Sequence, residues 1–252
     1  MEFNAIIGFI MKKTFGMILG LLLVCVVIAG IWAQQNNEKN NDSVLEADSP
    51  ADISRLSVSV SCGEHYGCGT IYDDDESSFT IVTAMHVLQD YYDGSSKDIS
   101  VTFMDQEICS ATVLKDDTAK DVVFLRVERD EVDGEYDPVL SASASAHGFD
   151  ESNIASETDD ILSPGQTIYF VDANTGDIYA GSIASPSVYS EDLCMDMIYC
   201  YCAVTPGMSG TGLFDESGHY LGILLGGSDE AEAVCLGAAS IDEMYNGIDG
   251  VN

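Results

Sequence analysis

Basic residues are scarce in this chain. Lys and Arg number 9 among 252 residues, against 43 Asp and Glu, and the formal net charge is −34. Such a surface repels phosphate backbones and anionic headgroups, which excludes nucleic acid and an anionic membrane surface as partners. Long amphipathic helical periods are missing, so a helical bundle is excluded. No EF-hand spacing occurs, and the acid clusters 73–76 and 159–160 read as solvated loop faces rather than calcium sites. No cysteine pair has finger-type spacing, which leaves only a weak case for zinc on Cys200, Cys202 and a histidine; no metal site is expected. No internal repeat is visible. What is present is apolar: 46% of residues are hydrophobic, enough for a folded core despite the charge.

Charge is unevenly spread. Residues 14–33, TFGMILGLLLVCVVIAGIWA, carry none, and Lys12 and Lys13 stand just before them. The run is long enough to cross a hydrocarbon core of about 30 Å as a helix. The lysines favour a cytoplasmic segment 1–13 and an outside carboxyl end. The alternative is a cleaved signal peptide starting at Met11, although Ile28 and Ile31 sit where cleavage wants small residues. Either way the acidic part lies outside the cytosol. Residues 34–52, QQNNEKNNDSVLEADSPAD, read as a flexible polar stalk. Cys25 lies in the apolar run, and seven cysteines follow: Cys62, Cys68, Cys109, Cys194, Cys200, Cys202 and Cys235. An oxidising compartment favours disulfides among them. Cys62 and Cys68, flanking GEHYG, are candidates to staple a hairpin, and an odd count leaves at least one free thiol or an intermolecular bond.

From residue 53 onward, short alternating segments recur between Gly, Asp, Asn and Ser. They fall at 56–62, 69–72, 79–83, 99–104, 111–114 and 122–127, then at 166–171, 178–184, 197–204, 212–214, 220–225 and 234–238. Thr175-Gly176-Asp177 and Asp215-Glu216-Ser217-Gly218 supply hairpin turns. A less regular stretch, 141–160, separates two groups of six strands. This predicts an all-β fold of barrels or sandwiches, one group over about 53–140 and the other over about 161–247. The one helical candidate is 240–245.

Three segments carry chemistry. Ile81-Val82-Thr83-Ala84-Met85-His86-Val87 ends a β-rich run in a histidine. Asp121 opens the apolar run Val122–Val127, with Asp116 and Asp117 as nearby competitors. Thr205-Pro206-Gly207-Met208-Ser209-Gly210-Thr211-Gly212 sets a serine in a glycine-rich turn. Acyl transfer needs this set. A serine hydroxyl is a poor nucleophile until an imidazole takes its proton. The imidazole needs a carboxylate to hold its tautomer and stabilise its charge. A glycine turn before the serine can present two N–H groups, from Gly207 and Ser209, to an oxyanion. His65, His147 and His219 lie in turn-like stretches and read as surface residues.

The order His86, Asp121, Ser209 and the local contexts resemble the chymotrypsin-like (trypsin-like) serine proteases, in particular the bacterial glutamyl-endopeptidase-like and HtrA-type enzymes. Thr83–Val87 resembles the family's histidine motif, Asp121–Leu125 its aspartate strand and Pro206–Gly210 its nucleophile loop. Residues 180–185 resemble the strand before that loop in HtrA-type enzymes. Residues 222–227 resemble the strand that binds substrate backbone. The resemblance implies two six-stranded antiparallel β-barrels, with the site in the cleft between them. It also implies an endopeptidase in which Ser209 attacks, His86 shuttles the proton and Asp121 orients His86, without a cofactor. A protonated imidazole cannot act as base, so activity is expected to fall as pH drops through the titration of His86.

Departures from the family pattern matter. Met208 stands where zymogen-activated relatives carry an acid that pairs with a new amino terminus, so that activation switch is not expected and the loop lacks a polar tie there. No PDZ module is expected, since the sequence ends at Asn252. Ala203, Val204, Thr205, Leu224, Leu225 and Gly226 are expected to line the substrate site. None is acidic, which leaves a Lys or Arg side chain without a counter-ion. Leu224 replaces the histidine expected in glutamyl endopeptidases, and a small-to-medium apolar residue is the expected preference. The partner is thus a peptide or protein substrate, met by a single-pass membrane protein with its protease domain outside, or by a secreted one. A rival from another class is a catalytically silent protease-like module that binds peptides.

Overall fold

A computed structural model describes residues 53–132, 134, 136, 138–139, 162–191 and 193–248. The chain divides into two units, Met1–Val44 and Leu45–Asn252, and every described residue lies in the second. The apolar run 14–33, the stalk, Cys25, His147, the stretch 141–160 and Asp159-Asp160 fall outside the described residues. Among those described, no helix is long and apolar enough to cross a membrane.

Twelve strands form two closed antiparallel barrels. The first contains β1 (Ser57–Cys62), β2 (His65–Asp74), β3 (Ser78–Ala84), β4 (Ile99–Thr102), β5 (Ile108–Asp117) and β6 (Val122–Glu128), in the order β1-β2-β3-β6-β5-β4. The second contains β7 (Thr167–Asp172), β8 (Asp177–Ser190), β9 (Met195–Tyr201), β10 (Gly212–Asp215), β11 (Tyr220–Ser228) and β12 (Glu232–Gly237). Read from β7, its order is β7-β8-β9-β12-β11-β10, the same circuit as the first. The fold is therefore all-β and chymotrypsin-like, and closure leaves neither barrel an open edge.

Each of the twelve expected segments is a strand, with shifted ends. β2 starts at His65 rather than residue 69, because Gly63 (φ +60°) and Glu64 alone make the turn. His65 is thus an exposed strand residue, not a turn residue. Strand β8 runs 14 residues, carried past its expected end by bulges against β9. Among the described residues two short α-helices join the barrels: α1 (Gln89–Tyr92), which periodicity did not reveal, and α2 (Ala238–Tyr245) at the expected terminal position.

The Cys62–Cys68 staple is not formed. In the β1–β2 ladder Cys62 lies opposite His65 and Cys68 opposite Ser59. Three ladder steps, roughly 10 Å at 3.3–3.4 Å per residue, exceed a disulfide's reach. All seven described cysteines are free thiols, six buried and Cys194 exposed.

β3 and most of β6 are buried along their length, as strands covered on both faces must be. Their residues Phe79, Ile81, Val82, Phe124 and Leu125 join a cluster that continues into Phe214, Tyr220, Ile223 and Tyr245 from the second half. The first barrel's core is thus continuous with the contact between barrels. A second cluster fills the other barrel with Ile168, Phe170, Leu213, Leu221, Leu224 and, from the loop before β10, Met208. Full burial of each such side chain stabilises by about 1.5–3 kcal/mol.

Candidate active site

His86 stands where the buried strand β3 runs out. Residues Met85–Leu88 make a 3-10 turn that buries Val87 and Leu88 and leaves His86 exposed. The turn is tied to the start of β6, since the Met85 N–H donates to the Asp121 carbonyl over 2.9 Å. Asp121 adopts φ +55°, a left-handed conformation that aspartate tolerates better than most residues. Its carboxylate is used twice on one residue. Oδ1 accepts the His86 main-chain N–H at 2.9 Å, and Oδ2 lies 2.6 Å from Nδ1 of the ring. A carboxylate there holds the proton on Nδ1 and leaves the Nε2 lone pair available.

The two competing aspartates are occupied elsewhere. Asp116 accepts the Tyr92 hydroxyl at 2.8 Å. Asp117 caps the turn before β6 through the N–H groups of Ala119 and Lys120. Of the remaining histidines described, His65 faces Asp90 at 3.2 Å and His219 faces Asp215 at 2.9 Å. In the cluster 73–76, Asp74 pairs with Arg129, and Asp75 caps the turn to β3 through the Ser77 and Ser78 N–H groups. Among the described residues no group of three or more His, Cys, Asp or Glu could hold a metal ion.

Ser209 lies on the loop into β10, and this loop docks on the first barrel. The Ser209 carbonyl accepts the Cys68 N–H at 2.8 Å. Gly210 (φ +88°) lies so close to the Cys68 carbonyl and the Thr83 hydroxyl that a Cβ would overlap both. A Cβ on Gly67 would meet the Val87 side chain and the Ser209 carbonyl together, so the residue after His86 and the backbone of Ser209 flank one glycine. No hydrogen bond joins the Ser209 hydroxyl to His86 among the described residues; in unliganded enzymes this bond is often long and tightens on binding.

The loop's amides divide into two kinds. Met208 N–H donates to Thr205 O (3.2 Å), Gly210 N–H to Leu224 O (2.7 Å) and Thr211 N–H to Met208 O (3.0 Å). The N–H groups of Gly207 and Ser209 donate to no protein acceptor among the described residues. Met208 is 0% exposed in the second barrel's core, and its sulfur accepts the Thr205 N–H at 3.3 Å. The polar tie missing from the sequence is thus replaced by an apolar anchor.

The expected substrate-site residues separate. Thr205 is exposed, while Ala203, Val204 and Gly226 are half-buried. Leu224 is 1% exposed and packs in the barrel core. Its expected place on an open pocket wall is corrected: its N–H and carbonyl bind Thr211 and Gly210, and the side chain points inward with the loop's own apolar anchor. Leu225, 9% exposed, joins the cluster between the barrels. Sequence reasoning read Cys68 only as a disulfide candidate and missed Asp172 and Asn174: Cys68 and Asn174 donate to the Gly207 carbonyl, and Asp172 accepts from Asn174. The only linear sign of Asp172 and Asn174 was the hairpin turn beside them.

Solved structures share the architecture. A crystal structure of Deg5 matches with a TM-score of 0.58 at 16% identity, covering 75% of this chain and 87% of that one. Rv3671c from M. tuberculosis H37Rv, crystallised in an inactive form with a serine changed to alanine, matches with a TM-score of 0.56 at 19% identity, covering 80% and 90%. At these identities the likeness is one of fold. No curated protein matches the chain. The sequence model of the trypsin-like peptidase domain matches residues 67–223, and the chain belongs to that family.

Proposed function

We propose that the chain is an extracytoplasmic serine endopeptidase. In this reading Ser209 attacks the scissile carbonyl. His86, through Nε2, takes the hydroxyl proton and returns it to the leaving amine. Asp121 holds the imidazole and stabilises its positive form. The unpartnered N–H groups of Gly207 and Ser209 receive the oxyanion, and water then releases the acyl group from Ser209. The observation that carries this reading is the double use of the Asp121 carboxylate on the ring and main chain of His86. A capping or rim aspartate needs neither bond, whereas a general base needs both orientation and tautomer fixed. The exposed Thr205 and half-buried Ala203, Val204 and Gly226 support a substrate strand beside β11. With no acid among these residues, a small-to-medium apolar side chain is favoured before the cleaved bond. The lysine pair followed by residues 14–33 supports placement outside the cytosol.

A fluorophosphonate probe tests the chemistry directly, because it captures only an activated serine. Wild type is expected to label on Ser209, and Ser209→Ala to lose labelling. An unlabelled wild type whose fold is verified would point instead to a peptide-binding module.

A further inference from the structure

The N–H groups of Gly207 and Ser209 belong to the two peptides flanking the one between Gly207 and Met208, so the orientation of that planar central peptide helps set their mutual direction. That peptide's N–H is fixed on Thr205 O. Its carbonyl, Gly207 O, is met by the turn between β7 and β8. Asn174 Nδ2 donates to Gly207 O at 3.1 Å and to Asp172 Oδ1 at 3.1 Å. Both neighbours are pure acceptors, so the amide can present only its NH2 side to them. Asp172, 5% exposed, also accepts the Asn174 main-chain N–H at 2.9 Å, which anchors the turn carrying the amide. The Cys68 thiol donates to the same Gly207 carbonyl at 3.4 Å. Burial pushes that thiol up to about 12, so it keeps its proton. Gly207 itself sits at φ +95°, a conformation with few steric restraints of its own in glycine.

We propose that Asn174, held by Asp172, is a positioning residue that locks the Gly207 carbonyl inward and so keeps the Gly207 and Ser209 N–H groups set for an oxyanion. The inference rests on Ser209 being the nucleophile. The β7–β8 turn thereby supplies, as neutral hydrogen bonds, the loop restraint that Met208 cannot give through charge. Asn174 touches no reacting atom and acts only through the loop backbone.

The test compares the full-length wild type with Asn174→Ala, Asn174→Asp and Asn174→Ser. Asn174→Asp keeps the shape but replaces the donor with a second carboxyl beside Asp172, and Asn174→Ser keeps a shorter donor. Fluorophosphonate labelling rates and p-nitrophenyl ester turnover are measured well below each variant's Tm, on protein shown folded by its melting curve. Wild type should label at Ser209. Asn174→Ala should lose about tenfold in labelling rate and kcat, the scale of one neutral hydrogen bond, and Asn174→Asp at least as much, since its carboxylate also faces two acceptors. KM should stay constant and the pH midpoint of the rate should not move, while Asn174→Ser recovers part of the rate. A merely structural residue would change Tm and leave kcat per folded molecule intact, which would overturn the proposal. Equal labelling rates in wild type and all three variants would overturn the brace alone. Absence of labelling in folded wild type would overturn the nucleophile assignment and the brace with it.

Discussion

Asp121 and Asp242 show how differently one side chain behaves in two surroundings. Asp121 meets two N–H donors from a single residue and is a quarter exposed. Asp242, on α2, is 7% exposed with no ion-pair partner among the described residues. Burial pushes its carboxyl up to about 6, from an ordinary 3.8. The native state therefore holds this proton to higher pH than the unfolded chain does. Stability contributed by the protonated form is complete below about pH 4 and is lost as pH rises through about 6. Asp242→Asn removes that loss. It is expected to stabilise the protein at pH 7–8 by about 2 kcal/mol, at roughly 1.4 kcal/mol per pK unit with a discount for partial hydration. The gain should disappear below about pH 4. Urea unfolding at both pH values checks this, and an equal gain at pH 4 would contradict it.

At the scale of elements, the loop entering β10 works because glycines let two barrels approach. Gly210 combines a left-handed φ with a carbonyl and a hydroxyl of the first barrel inside the space of a Cβ. Gly210→Ala is expected to destabilise by about 3–5 kcal/mol, from backbone strain and overpacking together. Thermal unfolding measures it, and a loss under about 1 kcal/mol would show that the barrels yield easily. Strand existence was legible along the chain because alternation and turn residues are local. The ends were not: β2 and β8 run longer than their apolar cores, since pairing partners rather than composition decide where a strand stops. Helix α1 has one turn and no period to read.

On the scale of the whole molecule, charge and symmetry dominate. The two barrels follow one strand circuit although no repeat survives in the sequence, because closure constrains topology and burial pattern rather than residue identity. Helix α2, reached from β12, is held against the first barrel. Lys115 donates to the Met244 carbonyl at 2.9 Å, Lys120 to the Ser240 carbonyl at 3.3 Å, and Tyr245 bonds Asp73. The net charge of −34 sets a long-range field that draws cationic substrates at low ionic strength. Hydrolysis of a Lys-flanked peptide is expected to slow several-fold between about 10 mM and 500 mM salt, as the Debye length shrinks from roughly 30 Å to a few ångströms. An uncharged ester should be unaffected. A peptide rate independent of salt would show that the field plays no part in encounter.

The linear sequence by itself determined the class of fold and the identities of His86, Asp121 and Ser209 as candidates, because strand alternation, a strand-opening aspartate and a glycine-bounded serine are contrasts between near neighbours. Tertiary structure supplied the contact itself: it sets the Asp121 carboxylate on His86 and occupies Asp116 and Asp117 with Tyr92 and with the Ala119 N–H. It alone also turned Leu224 into the core, left Cys62 and Cys68 unlinked, and brought Asn174 onto the Gly207 carbonyl. Those outcomes depend on register and on the approach of segments far apart along the chain, and neither spacing nor composition encodes such distances.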